Sequence, residues 1–177
     1  IAPHVQIIMA EVPPNYQEQL KKGEADFTAF LALETERDIL AEPIAAIEPR
    51  CYMRVDHPLA DKEMSLKDFL AYPHLRLYLP GLTRENTSMV DDVLAQHGAH
   101  RSIVLETTQF SSAVGVLTHT DTLLVANAGF QDGGLYRERI VGHQMPPELQ
   151  RMIRNSNSSN RGKMSLMRHT RTSRQFT

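Results

Sequence analysis

Cysteine is almost missing from this sequence: of 177 residues only Cys51 carries a thiol. One thiol cannot close an internal disulfide, which fits a reducing compartment, here the cytoplasm. Long apolar runs are missing too. None approaches the ~18–20 residues that span a bilayer, so no membrane segment is expected. No basic stretch leads into an apolar one and a small-residue cleavage site, so no secretory signal is read. The chain opens on Ile1 rather than Met, and a preceding piece is expected in the native protein. Metal and catalytic motifs are equally scarce. There is no H-E-x-x-H, no Cys and His at zinc spacing, no Walker loop, no G-x-S-x-G and no G-x-G-x-x-G. His97 and His100 are three apart, but Gly98 between them ends the helix and loses the shared face. His57 sits in an Asp56-His57-Pro58 turn, which reads as a turn and not as a catalytic dyad. No catalytic residue, metal or cofactor is therefore expected, and no enzyme.

What remains is an ordinary globular composition, 41% hydrophobic and 23% charged, with an uneven distribution of charge. Residues 1–150 hold 12 Lys and Arg against 21 Asp and Glu, whereas Arg151–Thr177 hold seven basic residues and no acidic one. A basic end can face phosphates. Only Phe176 interrupts it as an aromatic, so a stacking platform for single strands is not supported, and a solvated strand end is the preferred reading.

Period and punctuation give the order of elements. Val5–Met9 is β-branched and apolar and reads as a strand, stopped by Pro13-Pro14. Asn15 and Glu18 form a predicted capping box for a helix through Tyr16 and Leu20 that ends at Gly23. Phe27–Phe30, Ile44–Ile47 and Cys51–Val55 are the next strands. Ser65 is expected to cap a helix from Leu66 to Tyr72 that Pro73 ends. Leu75–Leu79 alternates as a strand, and Pro80-Gly81 turns the chain. A helix is read from Thr83, with Met89, Val90, Val93 and Leu94 on one face and Gly98 at its end. Ser102–Leu105 is a strand, Phe110, Val114 and Leu117 mark a helix, and Leu123–Ala126 and Lys163–Arg168 are the last strands. Residues 155–162, NSNSSNRG, form a polar bridge. The alternation predicts an α/β protein with a parallel sheet flanked by helices.

Several segments, in this order, resemble the effector-binding domain of LysR-type transcriptional regulators. They are Ala2-Pro3-His4-Val5-Gln6-Ile7, Leu20-Lys21-Lys22-Gly23-Glu24-Ala25-Asp26-Phe27, Asp56-His57-Pro58-Leu59-Ala60 with Ser65-Leu66-Lys67-Asp68-Phe69 after it, and His169-Thr170-Arg171. The likeness covers most of the chain. Three features depart from that family's pattern. An opening strand and helix and a DNA-binding head before them are absent, the usual Gly-rich helix end is replaced by Val116–Thr122, and the last helix is cut after Phe176.

The resemblance implies two Rossmann-like lobes of the type 2 periplasmic-binding-protein kind with a ligand cleft between them. Lobe I is expected at 1–49 plus 142–177 and lobe II at 50–141, with crossings near Ile47–Arg50 and Val141–Met145. It implies a small-molecule effector, often an organic anion, DNA contact through the absent N-terminal helix-turn-helix, and a homo-oligomer, at least a dimer. Ligand-binding residues are expected just past strand ends, where helix N-termini offer free N–H groups. These are Thr28, Ala29 and Phe30 in lobe I, and Pro80, Gly81, Leu82, Thr83, Thr107, Thr108, Gln109, Phe110 and Asn127 in lobe II. Thr108 is expected to cap its helix and still offer a hydroxyl. A solute-binding protein of a transport system is the alternative on the same fold. An enzyme on a related two-lobe fold is a third, for which no acid–base residue can be named.

Overall fold

The computed structural model of the chain describes residues 6–10, 12–32, 35–46, 48–78, 88–127, 136, 138–156 and 163–170. The chain divides into two compact units, Ile1–Ala46 with Gly162–Thr177, and Ile47–Arg161.

The first unit is built around α1 (Tyr16–Lys22), β1 (Thr28–Ala32), β2 (Ile39–Ala46) and β8 (Lys163–His169). The three strands form an antiparallel sheet in the order β1-β8-β2. Its core is thin. Leu20, Ile39 and Met167 are buried, with Tyr16, Ala25 and Phe30 packed against them. Tyr16 and Phe30 meet edge-to-face, centroids 5.6 Å apart, a favoured aromatic geometry. Gly23 ends α1 at φ 73, where a Cβ would be strained. The predicted Asn15–Glu18 capping box does not form. Asn15 makes no side-chain cap bond, and Glu18 pairs instead with Lys22 one turn on, at 2.7 Å. Residues 6–9 of the predicted first strand are in no strand, and Ile7, Ile8 and Met9 are 80%, 84% and 91% exposed. β-Propensity alone does not make a strand; a partner edge is needed.

The second unit holds β3 (Pro49–Arg54), α2 (Leu66–Ala71), β4 (His74–Leu77), α3 (Met89–Gln96), β5 (Ile103–Thr107), α4 (Phe110–Leu117), β6 (Leu123–Asn127), β7 (Ile140–Gln144) and α5 (Pro147–Asn155). Its sheet order is β5-β4-β6-β3-β7. β4 runs parallel to β5 and β6, as helical crossovers require. β3 runs antiparallel to both β6 and β7. The sheet is therefore mixed where the alternation of elements predicts a parallel one.

Side chains alternate across this sheet and build a core on each face. Cys51, Met53 and Leu123 join Phe69, Val90, Val93, Leu94, Met145 and Leu149 under α2, α3 and α5. Tyr52 and Leu124 join Leu75, Ala113, Val114, Leu117 and Ile140 under α4. Truncating one such residue, for example Leu94 to Ala, costs about 2–5 kcal/mol.

One domain boundary is corrected. β7 pairs with β3 from Ile140 to Gln144, and Met145 and Leu149 are buried in the second unit's core. The chain thus stays in this unit beyond the crossing expected near Val141–Met145, up to Arg161. The signal for α5 was in the sequence: a proline at N1, Glu148 in the first turn, and Leu149, Met152 and Ile153 at helical spacing.

Candidate functional site

The parallel strands of the second unit, β4, β5 and β6, have their C-terminal ends on one side of the sheet, the position at which α/β sheets receive ligands. Two helix N-termini in this unit are internally neutralised. Ser65 caps α2 and Ser88 caps α3, each in a reciprocal box with an aspartate, Asp68 and Asp91. α4 differs. Its N-cap is Gln109, which makes no side-chain cap bond, and its first turn holds no acidic residue. Gln109 Oε1 instead accepts from Ser112 Oγ at 3.1 Å, and the Gln109 N–H donates to Thr107 Oγ1 at 3.0 Å. Thr108 is therefore not the helix cap that the sequence suggested. It stands one residue earlier and is exposed. Phe110 is half-buried on the α4-side core, its ring 6.0 Å from Tyr136. The first turn of α4 keeps its partial positive charge facing outward beside a threonine hydroxyl and an amide.

Asn127 ends β6. Its Oδ1 accepts from the Glu48 N–H at 2.7 Å, and its carbonyl accepts from Tyr52 Oη at 3.1 Å. Both bonds fasten the end of β6 to the start of β3. Pro80, Gly81, Leu82 and Thr83 lie outside the described residues. Thr28, Ala29 and Phe30 are the opening residues of β1 in the other unit, paired with Met167, Leu166 and Ser165, so they sit within a strand and not past its end. Thr28 is buried, and Phe30 packs toward Leu20.

A cavity of about 170 Å³ lies against the first turn of α3, lined among others by Leu75, Leu77, Val90, Val125, Arg101 and Asn127. Beneath it runs a charged network that sequence reasoning missed. Arg101 donates Nε to Asp91 Oδ1 at 2.6 Å and Nη2 to Asp91 Oδ2 at 3.0 Å. Arg76 donates Nε to Glu106 at 2.8 Å and Nη1 to Asp91 at 3.3 Å. Burial raises the Asp91 carboxyl, but the bonds and charge of Arg101, with Ser88, outweigh it and hold the group well below the usual carboxylate range. Burial and the same guanidinium push His74 down to about 4. Burial lifts the Cys51 thiol to about 12, which removes the thiolate a redox sensor needs.

Two of the histidines raised by the sequence, His57 and His97, have backbone partners. His57 accepts the Leu59 N–H at Nδ1 and meets the Asp121 carbonyl at Nε2, while Asp56 pairs with Arg54. His97 Nδ1 sits 2.9 Å from the Val93 carbonyl. Among the described residues no group of three or more His, Cys, Asp or Glu is placed to hold a metal, and no helix is long and apolar enough to cross a membrane.

Comparison with known proteins accounts for this arrangement. The family model described as "LysR substrate binding domain" matches residues 2–161, and the chain belongs to that family of two-lobe α/β, periplasmic-binding-protein-like domains. Over 138 residues it is 28% identical to the HTH-type transcriptional regulator YidZ of Citrobacter koseri, covering 72% of this chain and 41% of that relative. The chain thus spans less than half of the relative's length. A putative transcriptional regulator from Vibrio parahaemolyticus is similar in structure, with TM-score 0.74 and 19% identity over 98% of this chain and 76% of that one. The effector-binding domain of QuiR, solved in complex with shikimate, gives TM-score 0.59 and 17% identity over 88% of this chain and 68% of that one.

Proposed function

We propose that this chain is the ligand-sensing part of a LysR-type transcriptional regulator, and that its effector, an organic anion, binds at the strand ends of the second unit. The observation that carries this reading is the first turn of α4. It alone of α2, α3 and α4 lacks both a side-chain cap and a carboxylate, and an anion there gains the helix's partial charge and backbone donors. Thr107, Thr108 and Gln109 supply polar groups, Phe110 an apolar wall, and Asn127 an amide at the neighbouring strand end. Pro80–Thr83 of the same unit complete the proposed set. The ligand is held and released without being transformed. Its effect on DNA passes through an N-terminal helix-turn-helix of the longer polypeptide, in a cytoplasmic homo-oligomer, by favouring one of two conformations for which it has unequal affinity.

The test is titration calorimetry of small carboxylates, shikimate among them, against the chain and Thr108→Val. A tenfold or greater loss in the variant is expected for the carboxylate that binds. Equal affinities remove Thr108 from the site, and failure of every organic anion to bind ends the reading.

A further inference from the structure

Two buried groups of opposite kind lack partners inside the second unit. Arg101, its side chain 3% exposed, leaves the donor Nη1 without a hydrogen-bond partner among the described residues. His74, fully buried, leaves Nδ1 in the same condition. Buried polar groups are almost always satisfied, so each orphan needs an explanation. Neither atom has surface open to solvent, so neither reaches the cavity at α3.

The two are complementary. Asp91 takes the Nε and Nη2 flank of the guanidinium, with Ser88 sharing Nη2, so Nη1 lies on the opposite flank. His74 Nε2 meets the Phe69 carbonyl at 2.8 Å. A carbonyl only accepts, so Nε2 carries the proton and neutral Nδ1 is an acceptor. The backbone brings both residues to one place. The His74 N–H donates at 2.7 Å to the carbonyl of Ser102, the residue after Arg101, and the guanidinium charge acts on the imidazole.

We infer that Arg101 Nη1 donates to His74 Nδ1, and that this bond is a proton-operated catch on the first turn of α3. Closed, it completes a line of bonds from Ser88 and Asp91 through Arg101 and His74 to the Phe69 carbonyl. The N-terminus of α3 is thereby tied to an orphan carbonyl at the end of α2. A proton on Nδ1 turns the acceptor into a donor that faces a donor, and sets imidazolium against guanidinium. The catch then opens. Burial and Arg101 oppose that proton, while Asp91 on α3 favours it. From α2 the imidazole meets the Phe69 carbonyl and ring, and its partner on β6 is Leu123. The imidazole is half protonated only at about pH 4. The Asp91 carboxyl, held lower still, stays charged as the catch opens. None of this depends on the effector site proposed at α4.

Nitrogen-15 NMR of the chain reads the catch directly. At neutral pH a scalar coupling should connect Arg101 Nη1 with His74 Nδ1, and the histidine proton should sit on Nε2. On acidification the Ser88 and Asp91 amides should shift on the His74 titration curve. The Ser65 and Asp68 amides, which form the equivalent capping box on α2, should stay still. His74→Gln offers an oxygen that takes no proton in that range, so the Ser88 and Asp91 shifts should disappear. His74→Phe strands the donor and should speed exchange of the Asp91 amide about tenfold at neutral pH. Absence of the coupling, a proton on Nδ1, a slow water against Arg101 Nη1, or Ser88 and Asp91 following the Asp91 carboxyl instead of His74 would overturn the inference. So would both boxes shifting together, the signature of general acid unfolding. If neither variant folds, the wild-type titration decides alone.

Discussion

Arg101 grips Asp91 with two nitrogens, Nε at 2.6 Å and Nη2 at 3.0 Å, across the turn that joins α3 to β5. Asp91 is at once the capping-box residue of α3 and the counter-ion of a buried cation. Asp91→Ala removes both roles. Breaking a buried pair by deleting one partner costs about 3–5 kcal/mol, and losing the cap adds to it. Urea unfolding should show a fall of that order. The double replacement Asp91→Ala with Arg101→Met should recover part of it, because no charge is then stranded. A single-variant loss below about 1 kcal/mol would contradict the assignment.

Acid should weaken this fold before its carboxylates titrate. His74 is fully buried, and its folded pKa lies at about 4 against an ordinary 6.5. The unfolded chain therefore takes up a proton as pH falls through 6.5, while the folded chain refuses it until about 4. The His74 contribution to stability should decline across that window by on the order of 3 kcal/mol and then level off. Burial also lowers His57, which adds in the same direction. Asp91, held low, contributes its own loss only at more acid pH. Chemical denaturation at stepped pH tests this. His74→Gln should lose more than half of the slope between pH 6.5 and 4.

Gly142 has no room for a side chain. A Cβ there would lie 2.6 Å from Tyr52 Cε1. The ring cannot swing aside, since Tyr52 is 1% exposed and its hydroxyl donates to the Asn127 carbonyl at 3.1 Å. Gly142→Ala should cost about 1–3 kcal/mol by overpacking, read as a lowered thermal midpoint. Adding Tyr52→Leu should make the alanine tolerable. An unaffected single variant would show that the β3–β7 pairing yields more easily than its burial suggests.

Ile7 and Ile8 should be replaceable at no thermodynamic cost. At 80% and 84% exposure they bury almost nothing, so Ile7→Thr with Ile8→Lys should leave unfolding within about 0.5 kcal/mol of the parent. The same pair should lower light scattering in concentrated samples, because a consecutive apolar run is an association hazard. A destabilised variant would show that these side chains are engaged in solution.

Local signals in the sequence were legible where the decision was local. Ser65 caps its helix, Gly23 closes α1 at positive φ, and Phe110, Val114 and Leu117 share the inward face of α4. Elsewhere a competing local signal won. Ser88 and Asp91 form the capping box that starts α3, while the start expected at Thr83 lies outside the described residues. The hidden part was long-range. Val5–Met9 has strand propensity, but its described residues meet no strand edge. Nothing near Cys51 announces that β3 will lie reversed between β6 and β7. Of the candidate site, the Thr107–Phe110 junction was readable from the switch between periods of two and 3.6. Arg76 and Arg101 were not. Arg76 in an alternating strand reads as a solvent face and Arg101 as part of a connection, and only folding brings Asp91 between the two.

β1 and β2 never touch as partners; the C-terminal strand β8 lies between them, so that Thr28 meets Met167 and Ile39 meets His169. On the ribosome β1 and β2 therefore emerge long before the strand that joins them. Until the last stretch is translated they are open templates for other chains. Nonsense mutations between β2 and Lys163 should then yield not a smaller folded domain but sticky fragments destined for chaperones and proteases.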